Sequence, residues 1–389
     1  MLAAGSGVFK LVFLTDWRTG LSLLDVSGVS AVAMQLFPEQ ARPLTPLVSN
    51  RKKSYVFERG MYNVSCYRIP ALVYTKKGTL LAFAEARRRT CGDDEAREIA
   101  YRRSSNRATT WTGVRFAVGN WSHKVGNPMP VVVREPIEGG NSVKESIMLL
   151  YVTHNAKCDR ECGTGNGIVW SHNDGQTWSA PIDVSDMFGK AAGGLPGPGS
   201  GIQTKSGRIL VAVHLGKYFR DYVLASDDFG RTWRVTHEFI AEPEVDEPTL
   251  AQLPDGRIHF SARSMALNRI GRAVAFSEDD GETFGRIFFD CSLRGAVCQG
   301  SSATVGPFMY MAGPIDPYRG NLVIQRSVDG ETWEDPPLLV QEKRSFGYSS
   351  MTPFLTKVGP GAKPLGGILY EYGRRGSSKI VFDEFPLRW

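Results

Sequence analysis

From about residue 67 to the end of the chain, apolar residues fall in short runs separated by turn-forming residues, and no helical period of 3.6 is sustained anywhere. Runs at 67–74, 79–85, 147–153, 209–214, 258–263 and 368–372 have the length and the β-branched and aromatic content of strands. Lys76, Lys77 and Gly78 supply a turn between the first two. The pattern predicts an all-β protein.

One polar run punctuates these strands at intervals. It is complete at Ser226, Asp228, Gly230, Thr232 and Trp233 and recurs at Ser277, Asp279, Gly281 and Thr283, with Phe284 in the Trp position. Earlier copies are Ser171, Asn173, Gly175, Thr177, Trp178 and Ser104, Asn106, Ala108, Thr110, Trp111; a last copy, Ser327, Asp329, Gly330, Thr332, Trp333, is one residue short. A short Asp or Asn side chain captures nearby backbone N–H groups, Gly supplies positive φ, and the Trp packs down on the sheet. Successive copies begin 67, 55, 51 and 50 residues apart. That period fits four-stranded propeller blades rather than helical repeats. With one unmarked first blade it predicts a six-bladed β-propeller whose blades carry Asp-box turns. Asp279, Asp280 and Gly281 also resemble part of a calcium loop, but its closing Glu is missing, so no metal is assigned.

Length alone would divide 389 residues into two or three domains, yet a radial repeat runs long as one unit. The expected organisation is a propeller over 51–389, preceded by an extension over 1–50 that is an atypical leader or loosely packed. Its apolar patches at 8–14 and 26–34 are broken by Asp16, Arg18 and Asp25 and fall short of the ~18–20 residues of a spanning helix. The net charge of +6, from 46 basic and 40 acidic residues, suits an anionic ligand. Only Arg87, Arg88, Arg89 and the pair Arg374, Arg375 cluster, which is no nucleic-acid stripe. Six cysteines include the close pairs Cys158 with Cys162 and Cys291 with Cys298, leaving Cys66 and Cys91. Their even count permits disulfides, and the sequons at Asn63 and Asn120 point the same way, toward a secretory route. The Gly-rich run at 193–201 is neither a P-loop nor a dinucleotide fingerprint and reads as a long loop across the propeller face.

Arg68 in Tyr-Arg-Ile-Pro, Arg263 in Ser-Ala-Arg-Ser and Arg319 in Pro-Tyr-Arg-Gly-Asn-Leu stand at strand ends in three different blades. With the repeated turns, this set resembles the sialidase (neuraminidase) superfamily from about residue 55 onward. Ala-Phe-Ala-Glu-Ala-Arg at 82–87, Gly-Pro-Gly-Ser-Gly-Ile-Gln at 197–203 and Gly-Tyr-Ser-Ser at 347–350 are most similar to the lysosomal branch of the animal enzymes.

The resemblance implies that Arg68, Arg263 and Arg319 clamp a sialic acid carboxylate, with Glu371 holding Arg68. Planar, permanently charged guanidinium groups suit that task because each binds carboxylate bidentately. It further implies Tyr348 as nucleophile, Glu247 as its base, and Asp93 or its neighbour Asp94 as general acid. Arg87, Asn127 and Glu85 would line the pocket. The implied activity is exo-α-sialidase on sialylated glycoproteins, oligosaccharides or gangliosides, with no cofactor. Trans-sialidase and an inactive sialic-acid-binding propeller are the alternatives. Peripheral membrane contact through gangliosides, a protective protein partner, and a lysosomal or secretory location, with the cytoplasm as alternative, complete the expectations.

Overall fold

The computed structural model describes residues 10–13, 22–25, 43–47, 53–93, 97–119, 124–140, 142–154, 163–215, 220–240, 245–264, 271–316, 318–343, 345–373 and 379–388. The chain divides into two units, Met1–Pro43 and Leu44–Trp389. The first contains an antiparallel pair, Lys10–Phe13 with Ser22–Asp25.

Among the described residues, the second unit holds five sheets. The largest joins Cys66–Tyr74, Leu80–Arg87, Arg97–Ser104 and Arg115–Val118 to Lys124–Pro136, Val143–His154, Gly163–Ser171 and Ile182–Asp183, and its two halves meet at one parallel step, Arg97 opposite Lys124. The next is built on Ile209–Leu215, Arg220–Ser226 and Arg234–Ile240. Val245–Gln252, Ile258–Ser264, Arg272–Ser277 and Phe288–Asp290 form another, and Ser301–Val305, Phe308–Pro314, Leu322–Ser327 and Leu338–Gln341 a further one, to which Thr45–Pro46 adds in parallel. The last sheet, Ser345–Leu355, Pro364–Tyr372 and Lys379–Phe385, takes its outer strand, Ser54–Glu58, from the other end of the unit.

The first strand of each four-strand run touches the first strand of the next, and Ser345–Leu355 returns to Cys66–Tyr74, so the innermost strands close a ring. The fold is an all-β propeller. Because every sheet lies between two neighbours, both faces of its middle strands need apolar cover, and Leu80–Arg87 is buried at each of its positions. Leu72, Leu80 and Ala82 pack against Leu369 and Phe382 of the closing sheet; Met129, Val131 and Met148 pack against Val211, Leu224 and Trp233 of the next one.

All five copies of the polar run lie between the third and outer strands of these four-strand runs, and the sheet without one is the last, closed by Ser54–Glu58, rather than the first as expected. In the complete copy, Ser226 Oγ donates to Asp228 Oδ1 at 2.8 Å and accepts the Gly230 N–H at 2.7 Å. Arg231 N–H and Thr232 N–H donate to the same Asp228 oxygen, and Thr232 Oγ1 donates to Oδ2. Partial burial works against the Asp228 carboxylate, but these donors from Thr232 and Ser226 hold its pKa below the usual range. Gly230 stands at φ +89°, with the Trp170 ring 3.0 Å from where a Cβ would be.

The run at 193–201 departs from expectation. Leu195–Pro196 and Ile202–Gln203 both pair with Ile209–Leu215, so the segment is an interrupted innermost strand, not a loop over the face. Pro198 lacks the N–H that a continuous ladder needs, and the position at the ring's centre buries the segment nonetheless.

Replacing Asp228 with Ala removes the acceptor of these hydrogen bonds. The substitution is expected to cost about 1–2 kcal/mol and to lower Tm by about 2–4 °C in scanning calorimetry, with the strand content by circular dichroism unchanged. An unaltered Tm would show that the turn is held by its backbone alone.

Candidate active site

The innermost strands break register at one level of the ring. The irregularities fall between Arg68 and Ala71, opposite Asn127 and Pro128, between Asp246 and Thr249, and between Ser345 and Ser349. Three of them coincide with an X-Pro step, Ile69-Pro70, Asn127-Pro128 and Glu247-Pro248, where the proline has no N–H to give the ladder. Ile69, Asn127 and Glu247 adopt φ of +55°, +50° and +46°, and Gly347 +123°. Only glycine serves at the last position, since a Cβ there would stand 2.5 Å from Cys298 Sγ and 3.0 Å from Arg319 Cδ. These bulges turn neighbouring side chains toward one mouth.

Tyr348 lies at its centre, 8% exposed. Its hydroxyl donates to Glu247 Oε1. The guanidinium carbons of Arg68 and Arg319 lie 5.2 and 5.8 Å from its ring centroid, and Arg263 reaches it through Glu247 Oε2 at 3.1 Å. All three predicted arginines therefore converge on one tyrosine. Arg68 and Arg263 extend from strands, whereas Arg319 sits in the turn after Phe308–Pro314, its N–H bonded to Asp316 O. Glu371 is fully buried and accepts Arg68 Nε–H at 3.1 Å, the Ile69 N–H at 3.1 Å and the Tyr348 N–H at 3.4 Å. Burial opposes the charge on Arg68, but Glu371 and Asp93 more than offset it and raise its pKa.

Asp93 stands at the rim with its side chain 78% exposed, 2.7 Å from Arg87 Nη1 and 3.4 Å from Arg68 Nη1. Arg87 is buried, and it also donates to Cys91 O, Gly92 O and Glu85, so its hydrogen bonds hold the Asp93 loop. Glu85 accepts from Arg87, from Arg97 and from the Asn127 N–H; burial opposes its charge, but the two arginines prevail and hold its pKa at about 2. Asn127 Nδ2 donates to Pro196 O on the innermost segment of the next sheet. Asp94 lies outside the described residues.

A disulfide joins Cys66 to Cys91, tying the Asp93 loop to the strand that carries Arg68. This corrects the pairing suggested by spacing: Cys298 is buried in a cluster with Ile69 and Tyr348 while Cys291 is exposed, so the two do not meet. Cys158 and Cys162 fall outside the described residues.

The sequence did not single out several members of the site. Gln299 donates to Pro198 O, Gly300 O and Ser349 O and accepts the Ser349 N–H, joining its own segment to two other innermost ones. Behind Glu247, Asp246 pairs with His214 at 3.2 Å and lies 3.8 Å from Arg263. Asp221 is buried beside them. Burial first, then the charges of Asp246 and Glu247, push its pKa well above the usual carboxylate value, and burial brings Asp246 to about 6 despite His214. Adjacency of Asp246 to Glu247 was the one available signal.

A family model described as BNR repeat-like domain matches residues 78–354. An exo-alpha-sialidase of Arthroderma benhamiae is 28% identical over 257 residues, covering 60% of this chain and 59% of that protein. A sialidase of Bacteroides fragilis is 28% identical over 367 residues, covering 83% of this chain and 63% of that protein. Among solved structures, the Hadza microbial sialidase Hz136 superposes with a TM-score of 0.71 at 25% identity, over 87% of this chain and 69% of that one. The chain belongs to the sialidase superfamily. It spans about six-tenths of the length of the two curated sialidases just described. In sialidase terms, the site sets three guanidinium groups and one phenol–carboxylate pair around a single opening.

Asp221 gives a pH signature. Its folded pKa is raised, so above the unfolded value of about 3.9 the native protein retains a proton that the unfolded chain releases, and stability falls as pH rises. Asp221→Asn carries no such proton. Its Tm is expected to match the parent near pH 4 and to exceed it by a growing margin toward pH 7; a constant difference across that range would refute the buried proton.

Proposed function

We propose that the protein is an exo-α-sialidase built on six four-stranded blades, releasing terminal sialic acid from glycoproteins, oligosaccharides or gangliosides with retention. The observation that carries this is the Tyr348 hydroxyl on Glu247, surrounded by Arg68, Arg263 and Arg319. The six-blade reading is supported by the ring of first strands and by the two four-strand halves of the largest sheet.

Sialic acid bears a carboxylate on its anomeric carbon, and the three arginines would fix that group. An anionic nucleophile would meet repulsion there, so a neutral phenol is the better attacker; sialidases are an exception among retaining glycosidases in using tyrosine. In the first step the Tyr348 oxygen bonds to the anomeric carbon and Glu247 takes its proton. Asp93 gives a proton to the departing glycosidic oxygen as that bond breaks. In the second step water bonds to the same carbon as its bond to the Tyr348 oxygen breaks, Asp93 takes the water's proton, and Glu247 returns a proton to the departing phenolate. The substrate must displace Asp93 from its exposed pairing with Arg68 and Arg87 for this to begin.

A lysosomal or secretory route is proposed from the Cys66–Cys91 disulfide, which belongs to an oxidising compartment, and from the exposed sequon at Asn63. Material from its native cell is expected to lose mass on treatment with peptide N-glycosidase; an unchanged mass with both sequons intact would favour the cytoplasm.

The mechanism is tested with 2,3-difluorosialosyl fluoride, whose C3 fluorine slows release of the intermediate. A covalent adduct is expected on the peptide containing Tyr348, absent in Tyr348→Phe. Asp93→Asn is expected to slow substrates with poor leaving groups by about 100-fold or more, and activated aryl sialosides far less. Labelling of Glu247 or Asp93 instead would overturn these roles.

A further inference from the structure

Glu247 meets Tyr348 from a backbone conformation that residues with a Cβ avoid, φ +46°, at a point where the bulge has taken its amide out of the ladder. Asp246 Oδ1 accepts that amide N–H at 2.8 Å. The arrangement occurs twice more in the ring. Buried Glu371 accepts the N–H of Ile69, at φ +55°, while pairing with Arg68, and buried Glu85 accepts the N–H of Asn127, at φ +50°, while pairing with Arg87 and Arg97. Asp246 completes the set, with Arg263 3.8 Å away as its cation and His214 Nε2 at 3.2 Å as a further partner.

We infer that Asp246 is a positioning residue which fastens the strained Glu247 backbone and so aims the Glu247 carboxylate at Tyr348; this rests on the reading of those two as the reacting pair. The groups facing Asp246 are Glu247 on its own strand, Arg263 on Ile258–Ser264, His214 on Ile209–Leu215 and Asp221 on Arg220–Ser226. A residue that only balanced the charge of Arg263 would need its carboxylate but not its length. A brace needs the acceptor at its present reach and not the charge.

Three variants separate these roles. Asp246→Asn keeps an amide acceptor in place without charge, Asp246→Glu keeps the charge but displaces it by a methylene, and Asp246→Ala removes both. Each is measured by steady-state cleavage of an aryl sialoside and by the NMR resonance of the Tyr348 ring carbon that bears the hydroxyl, with Tyr348→Phe giving the assignment. Asp228→Ala serves as the control for lost stability. Asp246→Ala and Asp246→Glu are expected to lower kcat by about 100-fold with KM within about threefold, while Asp246→Asn stays within about tenfold of the parent. The Tyr348 resonance should move in the first two and hold in the third. Equal damage from Asn and Ala, or a resonance that none of them moves, overturns the brace. Should the Ala variant not fold, the contrast between Asn and Glu decides. A parent protein that cleaves no sialoside sinks the functional reading alone, because the resonance still reports on the brace.

Discussion

The site rests on one kind of contact: a buried carboxylate that takes a backbone N–H released by a bulge and, with its remaining capacity, holds a cation. Glu371 does this for Ile69 and Arg68, Glu85 for Asn127 and Arg87, and Asp246 for Glu247 and Arg263. A left-handed conformation at a residue with a Cβ costs about 1–3 kcal/mol, and an unpaired buried amide adds to that. Neither cost is tolerable unless an acceptor is already in place. The same buried carboxylate thus serves both the bulge and the ion pair.

This device also explains why so much charge is stable at the centre of an apolar ring. Removing one partner of a buried pair leaves the other uncompensated, at about 3–5 kcal/mol. Within the ring, Arg68, Arg87, Arg97 and Arg263 each find a carboxylate, and Arg68 and Arg87 share Asp93 at the rim. Among the described residues no carboxylate pairs with Arg319, which leans on the Tyr348 ring and Val297 O instead. Of the three convergent arginines, that one is held least by charge.

The sequence disclosed what local chemistry controls. The turns were legible because Ser, Asp, Gly and Thr act within five residues of one another, as the bonds at Asp228 do. The strands were legible because double-sided burial writes itself as continuous apolar runs. Arg68, Arg263, Arg319, Tyr348 and Glu371 were found through motif resemblance, since nothing in their spacing says that they meet. The run at 193–201 was misread because proline and glycine signal a loop whether they sit on the surface or interrupt a central strand. The Cys66–Cys91 bridge was missed because proximity in sequence favoured other pairs. Gln299 and Asp246 were hard to read for a further reason: each bonds to a neighbour's backbone, which leaves no mark in composition, and His214 meets the Asp246 side chain, 32 residues away in sequence.

The separations along the chain carry a consequence for synthesis. Arg68 and its counter-ion Glu371 are 303 residues apart, Tyr348 and Glu247 101. A ribosome delivering the chain from its first residue exposes Arg68 and the Asp93 loop long before Glu371 and the Lys379–Phe385 strand, which pairs with Ser54–Glu58, have been made. Until then Arg68 lacks its buried carboxylate, and the early sheets remain open at one edge. The site around Tyr348 is therefore complete only once the last sheet has closed against the first, because Arg68 on the one sheet and Glu371 on the other hold each other.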